Sequence, residues 1–523
     1  MTSPRKTVVL DGHSLTIEDT VKVAREKATV VVSPEASAKM RESYEAVRQI
    51  IEKEEGVVYG INTGLGELEK VVIDLEKSAE LQRNLLFSHS AAVGPEMGDD
   101  EVRAMLLHRA NALARGHSGV RPHIVETLVA LLNRDIVPVV GTRGSVGASG
   151  DLAPLAQAAM VLVGRGKART GDGKVVSGEE ALKQAGIKPI KLGPKEGLAL
   201  INGTQYMTGA GSLAIYDIKN LLLTAEIATA LSFEALGGIV SALDPRIISL
   251  RPHPGQMRVA EDLWRLLADS KMVMEKGGDG KHQDAYTLRC AAQVYGACLD
   301  AIDHSWAVIE REINSATDNP LIVQDEKGGW EVISGGNFHG EPVALALDYA
   351  GMAATEVGSI QERTIFRLLD SKLSGLPPFL TKNSGLNSGF MIAQYTAAAL
   401  LNECKILSHP ASTDSIPTSA SQEDHVSMGA TSANKLRQIR DNLTVITAIH
   451  LLTAAQAVDL RLENLGMTYT DMGKGTAKAM KIIRKHVPLV ERDDQVEMRE
   501  LIEKAVGVVE GGELLGVVRG MGE

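Results

Sequence analysis

Ala148-Ser149-Gly150 stands in the run GSVGASGDLAPLA, where glycines are dense and a helix then begins, with Asp151 as its cap and Pro154 in its first turn. Such a backbone can bend sharply. For the amide nitrogen of Gly150 to reach the carbonyl carbon of Ala148, the chain must enter a compressed turn that bulky side chains would block. Ring closure with loss of water from Ser149 would leave an exocyclic methylene conjugated to a ring carbonyl, an electrophile that no unmodified side chain provides. An isolated Ala-Ser-Gly is more often only a turn leading into a helix, so the rest of the chain has to decide between the two.

Other chemistries fail on spacing. GKGT at Gly473–Thr476 lacks the phosphate-loop pattern because Thr468 stands where its first glycine belongs. The thirteen histidines include no HExxH, and His117 and His123 are not at a zinc-ligand spacing, so no metal is expected. GASGD departs from a nucleophile elbow because Asp151 occupies the final glycine position. Gly141, Gly144, Gly147 and Gly150 recur every three residues without a βαβ context, which speaks against dinucleotide binding.

The elements that must carry the tripeptide are expected to be helices. Of the 523 residues, 44% are hydrophobic but only 3% aromatic, and alanine, leucine and glycine are abundant, which favours close-packed helices over sheets. Apolar residues recur at three- and four-residue spacing over 217–243, 283–315, 387–407 and 433–462, the pattern of a long-helix bundle. Residues 1–200 read as a globular N-terminal domain bearing the Ala-Ser-Gly loop, and 201–523 as the central and C-terminal helical bundle. The lysine- and glycine-rich segment from Arg165 suits a small hairpin followed by a helix.

A net charge of −11 disfavours nucleic acid as a partner. Apolar stretches such as those from Leu152 and Ala228 are short of a bilayer span, so no membrane is expected. Cys290, Cys298 and Cys404 form no CxxC and no even set, and the N-terminus lacks a signal-peptide apolar run; both fit the cytoplasm.

GSVGASGDLAPLA resembles the active-site signature of the histidine and aromatic amino-acid ammonia-lyases. YGINTGLG from Tyr59, LQRNLLFSH from Leu81, NGTQ from Asn202, QDAYTLRC from Gln283, SGGNFHGEPVA from Ser334, GLNSGFMIAQ from Gly385 and HPASTDSIPTSASQEDHVSMG from His409 stand in that family's order, over residues 5–510. The resemblance implies a mainly α-helical fold and a homotetramer with active sites shared between subunits. It implies a prosthetic group, 4-methylidene-imidazol-5-one, formed autocatalytically from Ala148-Ser149-Gly150, with no dissociable cofactor. Tyr59 would remove the substrate's β-proton as a phenolate. Arg289 would clamp the substrate carboxylate through its planar guanidinium. Tyr286, one helical turn before Arg289, would contact the electrophile and the lid over the site. Asn202 would bond the ring oxygen of the prosthetic group, and Gln283 and Phe338 match further pocket positions.

Substrate choice rests on two places. Ser88-His89 matches the histidine branch, where the aromatic branch carries Phe-Leu or His-Leu, and Glu423 stands where phenylalanine and tyrosine enzymes generally carry glutamine. A carboxylate and an imidazole can recognise both ring nitrogens of histidine, whereas a buried carboxylate facing a phenyl ring would be uncompensated. The implied reaction is deamination of L-histidine to urocanate and ammonia, the first step of histidine degradation. A tyrosine or phenylalanine ammonia-lyase or a related aminomutase is the alternative. Tyr206 and Met207 replace the small residues more common beside the asparagine, and Ala285, Ser421 and Thr413 replace a proline, an asparagine and a valine of the pattern.

Overall fold

The computed structural model describes residues 6–53, 73, 77–278 and 280–520. Among them helices dominate, as the low aromatic content and the apolar periodicity predict. Four of the long helices are Gln205–Ala235, Ala291–Ile313, Met391–Leu407 and Gly429–Leu465, and each falls on a segment marked by that periodicity. Boundaries differ from the sequence pattern, the helix marked from 217 beginning already at Gln205. The helix expected to run to 243 stops at Ala235, because Gly237 takes a φ of +57° and Gly238 donates back to the Phe233 carbonyl, turning the chain into a short 3-10 segment, Val240–Leu243. The helix expected over 283–315 is two pieces, Tyr286–Arg289 and Ala291–Ile313, separated at Cys290, whose φ is −109° and ψ 14°. A fifth long helix, Glu341–Leu369, was not marked by the periodicity.

The chain forms two compact units: Met1–Tyr216 with Ser305–Asp348 and Pro410–Arg437, and Asp217–His304 with Tyr349–His409 and Gln438–Glu523. This differs from a single cut after residue 200. Four of the divisions fall inside long helices, after Tyr216, His304, Asp348 and Arg437. A helix keeps its periodicity across such a point, so neither composition nor punctuation marks it.

The first unit contains small sheets: parallel Thr7–Leu10 with Thr29–Val32, and antiparallel Val93–Glu96 with Gly141–Arg143 and Leu321–Gln324 with Trp330–Ile333. The segment from Arg165 is the expected hairpin, Lys167–Arg169 paired with Val175–Ser177, followed by helix Gly178–Gln184. Helix Asp99–Ala114 is buried on nearly every side, so its polar residues Arg103, His108, Arg109 and Asn111 are inside the unit. Helix Gly429–Leu465 is long and apolar enough to cross a bilayer, but 89% of its apolar stretch is buried within the protein, as in a core helix.

Candidate active site

Two ribbons of the first unit are bonded together at the tripeptide. Asn202, which ends helix Glu196–Ile201, donates from Nδ2 to the Ser149 carbonyl at 2.8 Å, and the Asp151 amide donates to the Gly203 carbonyl at 2.7 Å. Between them Gly150 and Gly203 pair as a parallel bridge. Gly150 has a φ of +71°, and a Cβ on it would lie 2.2 Å from the Gly203 oxygen; only glycine fits. Ala148 and Gly150 are buried, while Ser149 is half-buried.

Asp151 occupies the N-cap position of helix Leu152–Leu162, as expected, but its side chain does not cap that helix. Its Oδ1 accepts from Ser145 Oγ at 2.7 Å and its Oδ2 from the Met207 amide at 3.0 Å. Met207 lies in the first turn of helix Gln205–Ala235, so the carboxylate satisfies a free amide at a neighbouring helix N-terminus instead. Burial pushes the Asp151 carboxyl up to about 7, against the pull of the Met207 and Ser145 bonds.

Ser149 Oγ donates to Glu423 Oε1 at 2.9 Å, and Thr418 Oγ1 donates to Glu423 Oε2 at 2.8 Å. Just before Glu423 the backbone of Ser419, Ala420 and Ser421 is left-handed, with φ of 51°, 52° and 69°. Non-glycine residues adopt that region only where surrounding contacts impose it. His89 is the last residue of helix Ser78–His89, and its Nδ1 lies 3.0 Å from Ser88 Oγ. Burial holds its imidazole below the ordinary value, while the Leu85 carbonyl and the charge of Glu423 pull the other way. Phe338 is half-buried just ahead of helix Glu341–Leu369; the next residue, His339, stacks on His425 with ring centres 5.3 Å apart.

The second unit brings three of the expected residues together. Arg289 Nη1 donates to Gln283 Oε1 at 2.7 Å, and the guanidinium carbon lies 5.9 Å from the ring centre of Tyr286. Tyr286 and Arg289 are the ends of one helical turn and so share a face, as their spacing predicts. Tyr59 lies outside the described residues.

The residues around the tripeptide fit the prosthetic group that the sequence implies. The bend is available only to glycine at 150, the Ser149 carbonyl has a donor, and Asn202 Oδ1 is buried with no partner among the described residues. Two residues escaped the sequence reading. The destination of the Asp151 side chain has no sequence signal. Arg109 is wholly buried behind Asn202, and its signal was available: it stands in LLHRANALA, a run with no continuous polar face.

Residues 15–485 match the family described as aromatic amino acid lyase. The histidine ammonia-lyase of Caldanaerobacter subterraneus subsp. tengcongensis is 52% identical over 487 residues, covering 93% of this chain and 94% of that protein. That of Symbiobacterium thermophilum is 50% identical over 97% of each chain. The crystal structure of histidine ammonia-lyase from Trypanosoma cruzi superposes with a TM-score of 0.89 at 40% identity, covering 98% of this chain and 95% of that one. Tyrosine aminomutase from Streptomyces globisporus superposes with a TM-score of 0.91 at 39% identity, covering 98% of each. With its electrophile signature, its helical fold and matches of this extent, the chain belongs to the aromatic amino acid lyase family.

Proposed function

We propose that this chain is a histidine ammonia-lyase, a carbon–nitrogen lyase that converts L-histidine to urocanate and ammonia without oxidation. The amine-bearing C–N bond and a β C–H bond break, and a carbon–carbon double bond forms. The observation that carries the reading is the Glu423 carboxylate, 2.9 Å from Ser149 Oγ and acting on the charge of His89. A carboxylate and an imidazole beside the tripeptide complement the two ring nitrogens of histidine. Facing a phenyl ring, the same carboxylate would cost about several kcal/mol of unrecovered desolvation. Relatives about half identical over nearly their whole length carry the same activity in their names.

When formed from Ala148-Ser149-Gly150, the methylidene-imidazolone supplies an electrophile for the substrate's amine. The chain's residues do the rest. Asn202 holds the Ser149 oxygen, Glu423 and His89 orient the imidazole, and Arg289, bonded to Gln283 and stacked by Tyr286, takes the substrate carboxylate. Phe338 lines the pocket. Tyr59 removes the β-proton, which an amino acid gives up only to a well-placed base. The working assembly is a homotetramer with shared sites, and the compartment is the cytoplasm, consistent with three free thiols. No metal or dissociable cofactor is needed.

A second reading, a tyrosine aminomutase or an aromatic ammonia-lyase, is favoured by the equally good superposition on the tyrosine enzyme. Initial rates on histidine, tyrosine and phenylalanine, followed by product absorbance, separate the two. Histidine is expected to be turned over at least about a hundredfold more efficiently than either, since pairing of buried polar groups discriminates strongly. A preference for tyrosine would overturn the assignment.

A further inference from the structure

Behind the Asn202-Gly203 ribbon lies a buried cluster of charge that the reaction as described does not use. Arg109, on the inward helix Asp99–Ala114, is 1% exposed. Its Nη1 donates to the Asn202 carbonyl at 2.6 Å and to Gln205 Oε1 at 2.9 Å, and Gln205 Nε2 in turn donates to Thr317 Oγ1 at 2.8 Å. Its Nε and Nη2 are buried without a hydrogen-bond partner among the described residues. Among the described residues the one carboxylate that acts on its charge, Asp318, is bonded to Lys195 at 2.6 Å, with both side chains fully buried. Two buried cations therefore share one anion.

Burial draws the Arg109 guanidinium down to about 10, and burial likewise lowers Lys195, with Arg109 itself among the contributing charges. A guanidinium under-compensated in this way is costly to keep inside a protein. An apolar side chain of similar volume would remove that cost, so stability alone gives no reason for an arginine. Its geometry gives one. Its Nη1 reaches the backbone at the residue whose side chain holds Ser149, and Gly203 leaves it room, since a Cβ there would lie 2.5 Å from Arg109 Nη1.

We propose that Arg109 is a positioning residue for the Ala148-Ser149-Gly150 turn: by fixing the Asn202 carbonyl from behind, it sets Asn202 Nδ2 and the Gly203 carbonyl to hold Ser149 and Asp151 in the bend that ring closure requires. In that closure the Gly150 nitrogen bonds to the Ala148 carbonyl carbon, whose oxygen leaves as water. The Ser149 hydroxyl leaves with the α-hydrogen as a second water, and no oxidant or reductant enters. Arg109 touches neither reacting atom; it acts through Asn202 and Gly203. Lysine replaces it only in part: its ammonium can donate to both acceptors from one nitrogen, as Nη1 does, but its side chain is one bond shorter and more flexible, so it holds the Asn202 carbonyl less firmly.

This inference rests on the proposed function, and intact mass tells the two apart. The full chain and its Arg109→Met and Arg109→Lys variants are weighed intact, their folding is followed by circular dichroism and thermal midpoint, and kcat and KM are measured on histidine. The unsubstituted chain is expected to weigh two waters less than its sequence; if it does not, the proposed function itself fails. Arg109→Met is expected to fold yet keep most chains at full sequence mass, with kcat down at least thirtyfold. Arg109→Lys is expected to close partially, with kcat down about threefold to tenfold and KM within twofold for the closed fraction. Complete loss of two waters and an unchanged kcat in both variants would overturn the proposal, even with a lowered thermal midpoint, which is all a purely structural residue would show. Failure of both variants to fold would also overturn it, because Arg109 would then serve the fold and not the turn.

Discussion

Both units of the molecule bury titratable groups, but they attach them to different things. In the first unit two of the buried groups hold backbone at the tripeptide: Arg109 bonds the Asn202 carbonyl and Asp151 the Met207 amide, with Gly203 and Ser149 the next residues along. In the second unit some hold backbone far from the tripeptide, as Glu234 does by accepting from the Gly473 amide, and others join helix to helix through side chains. His450 lies 3.1 Å from Ser232 Oγ and 3.3 Å from Gln361 Oε1, linking three long helices, and Glu226 is buried beside Asp262. Burial and a displaced pKa are thus common to both units and mark neither as the site of chemistry. What separates them is whether the buried group fixes the backbone of a segment that reacts.

Ser149→Ala breaks the comparison at its centre. Without the hydroxyl no second water can leave, so the intact mass should no longer be lower by two waters, and kcat on histidine should fall at least about a thousandfold. Near-complete activity would remove the reason for every bond drawn to the 148–151 ribbon. Gly203→Ala tests the backing of that ribbon without touching it. The new Cβ would meet Arg109 Nη1 at 2.5 Å, at a φ of +152° that side chains rarely adopt. Incomplete loss of water and a kcat lower by about tenfold to a hundredfold are expected, read by the same mass and rate measurements.

Glu423→Gln sharpens the reading of the substrate. The amide can still accept from Ser149 or Thr418, but it no longer carries the charge that faces His89 and an imidazole substrate. The specificity constant on histidine should fall about tenfold to a hundredfold, or roughly 1.4–3 kcal/mol, while that on tyrosine or phenylalanine holds or rises. Equal losses on all three substrates would make Glu423 a holder of the tripeptide and leave selection to another residue.

The tripeptide was legible because its chemistry depends on residue type, small residues at 148 and 150 with a hydroxyl between them, whereas Asn202 was legible only through the family resemblance of NGTQ. Tyr286 and Arg289 were legible through the resemblance of QDAYTLRC, and only their shared face followed from a spacing of nearly one helical turn. What stayed hidden depends on direction. Nothing in GASGD says that the Asp151 side chain turns away from the helix it precedes and caps another. Arginine is rarely buried unless paired, yet LLHRANALA offers no continuous polar face; the burial of Arg109 was open to the sequence, and its bond to the Asn202 carbonyl was not. The two units were not legible as a cut because they divide within helices, where the pattern of apolar residues continues unbroken.

The smallest expected effect falls in the second unit and tests whether its buried charge is only architectural. Burial and the neighbouring Asp262 push the Glu226 carboxyl well above its ordinary value. The sign follows from proton linkage: a carboxyl with a raised folded pKa binds protons more tightly folded than unfolded, so its contribution is fully present below about pH 4.5 and is lost as pH rises through the folded value. Glutamine keeps the shape and removes the titration. Glu226→Gln should therefore leave the thermal midpoint little changed near pH 4.5 and raise it relative to the parent chain as pH climbs to 8, by the equivalent of about 1–3 kcal/mol. Turnover and the loss of two waters should be untouched, because Glu226 bonds to no atom of the 148–151 or 202–205 ribbons among the described residues. A change in kcat or in intact mass would show that charge buried among the helices of the second unit reaches the tripeptide, and would dissolve the distinction between the two units.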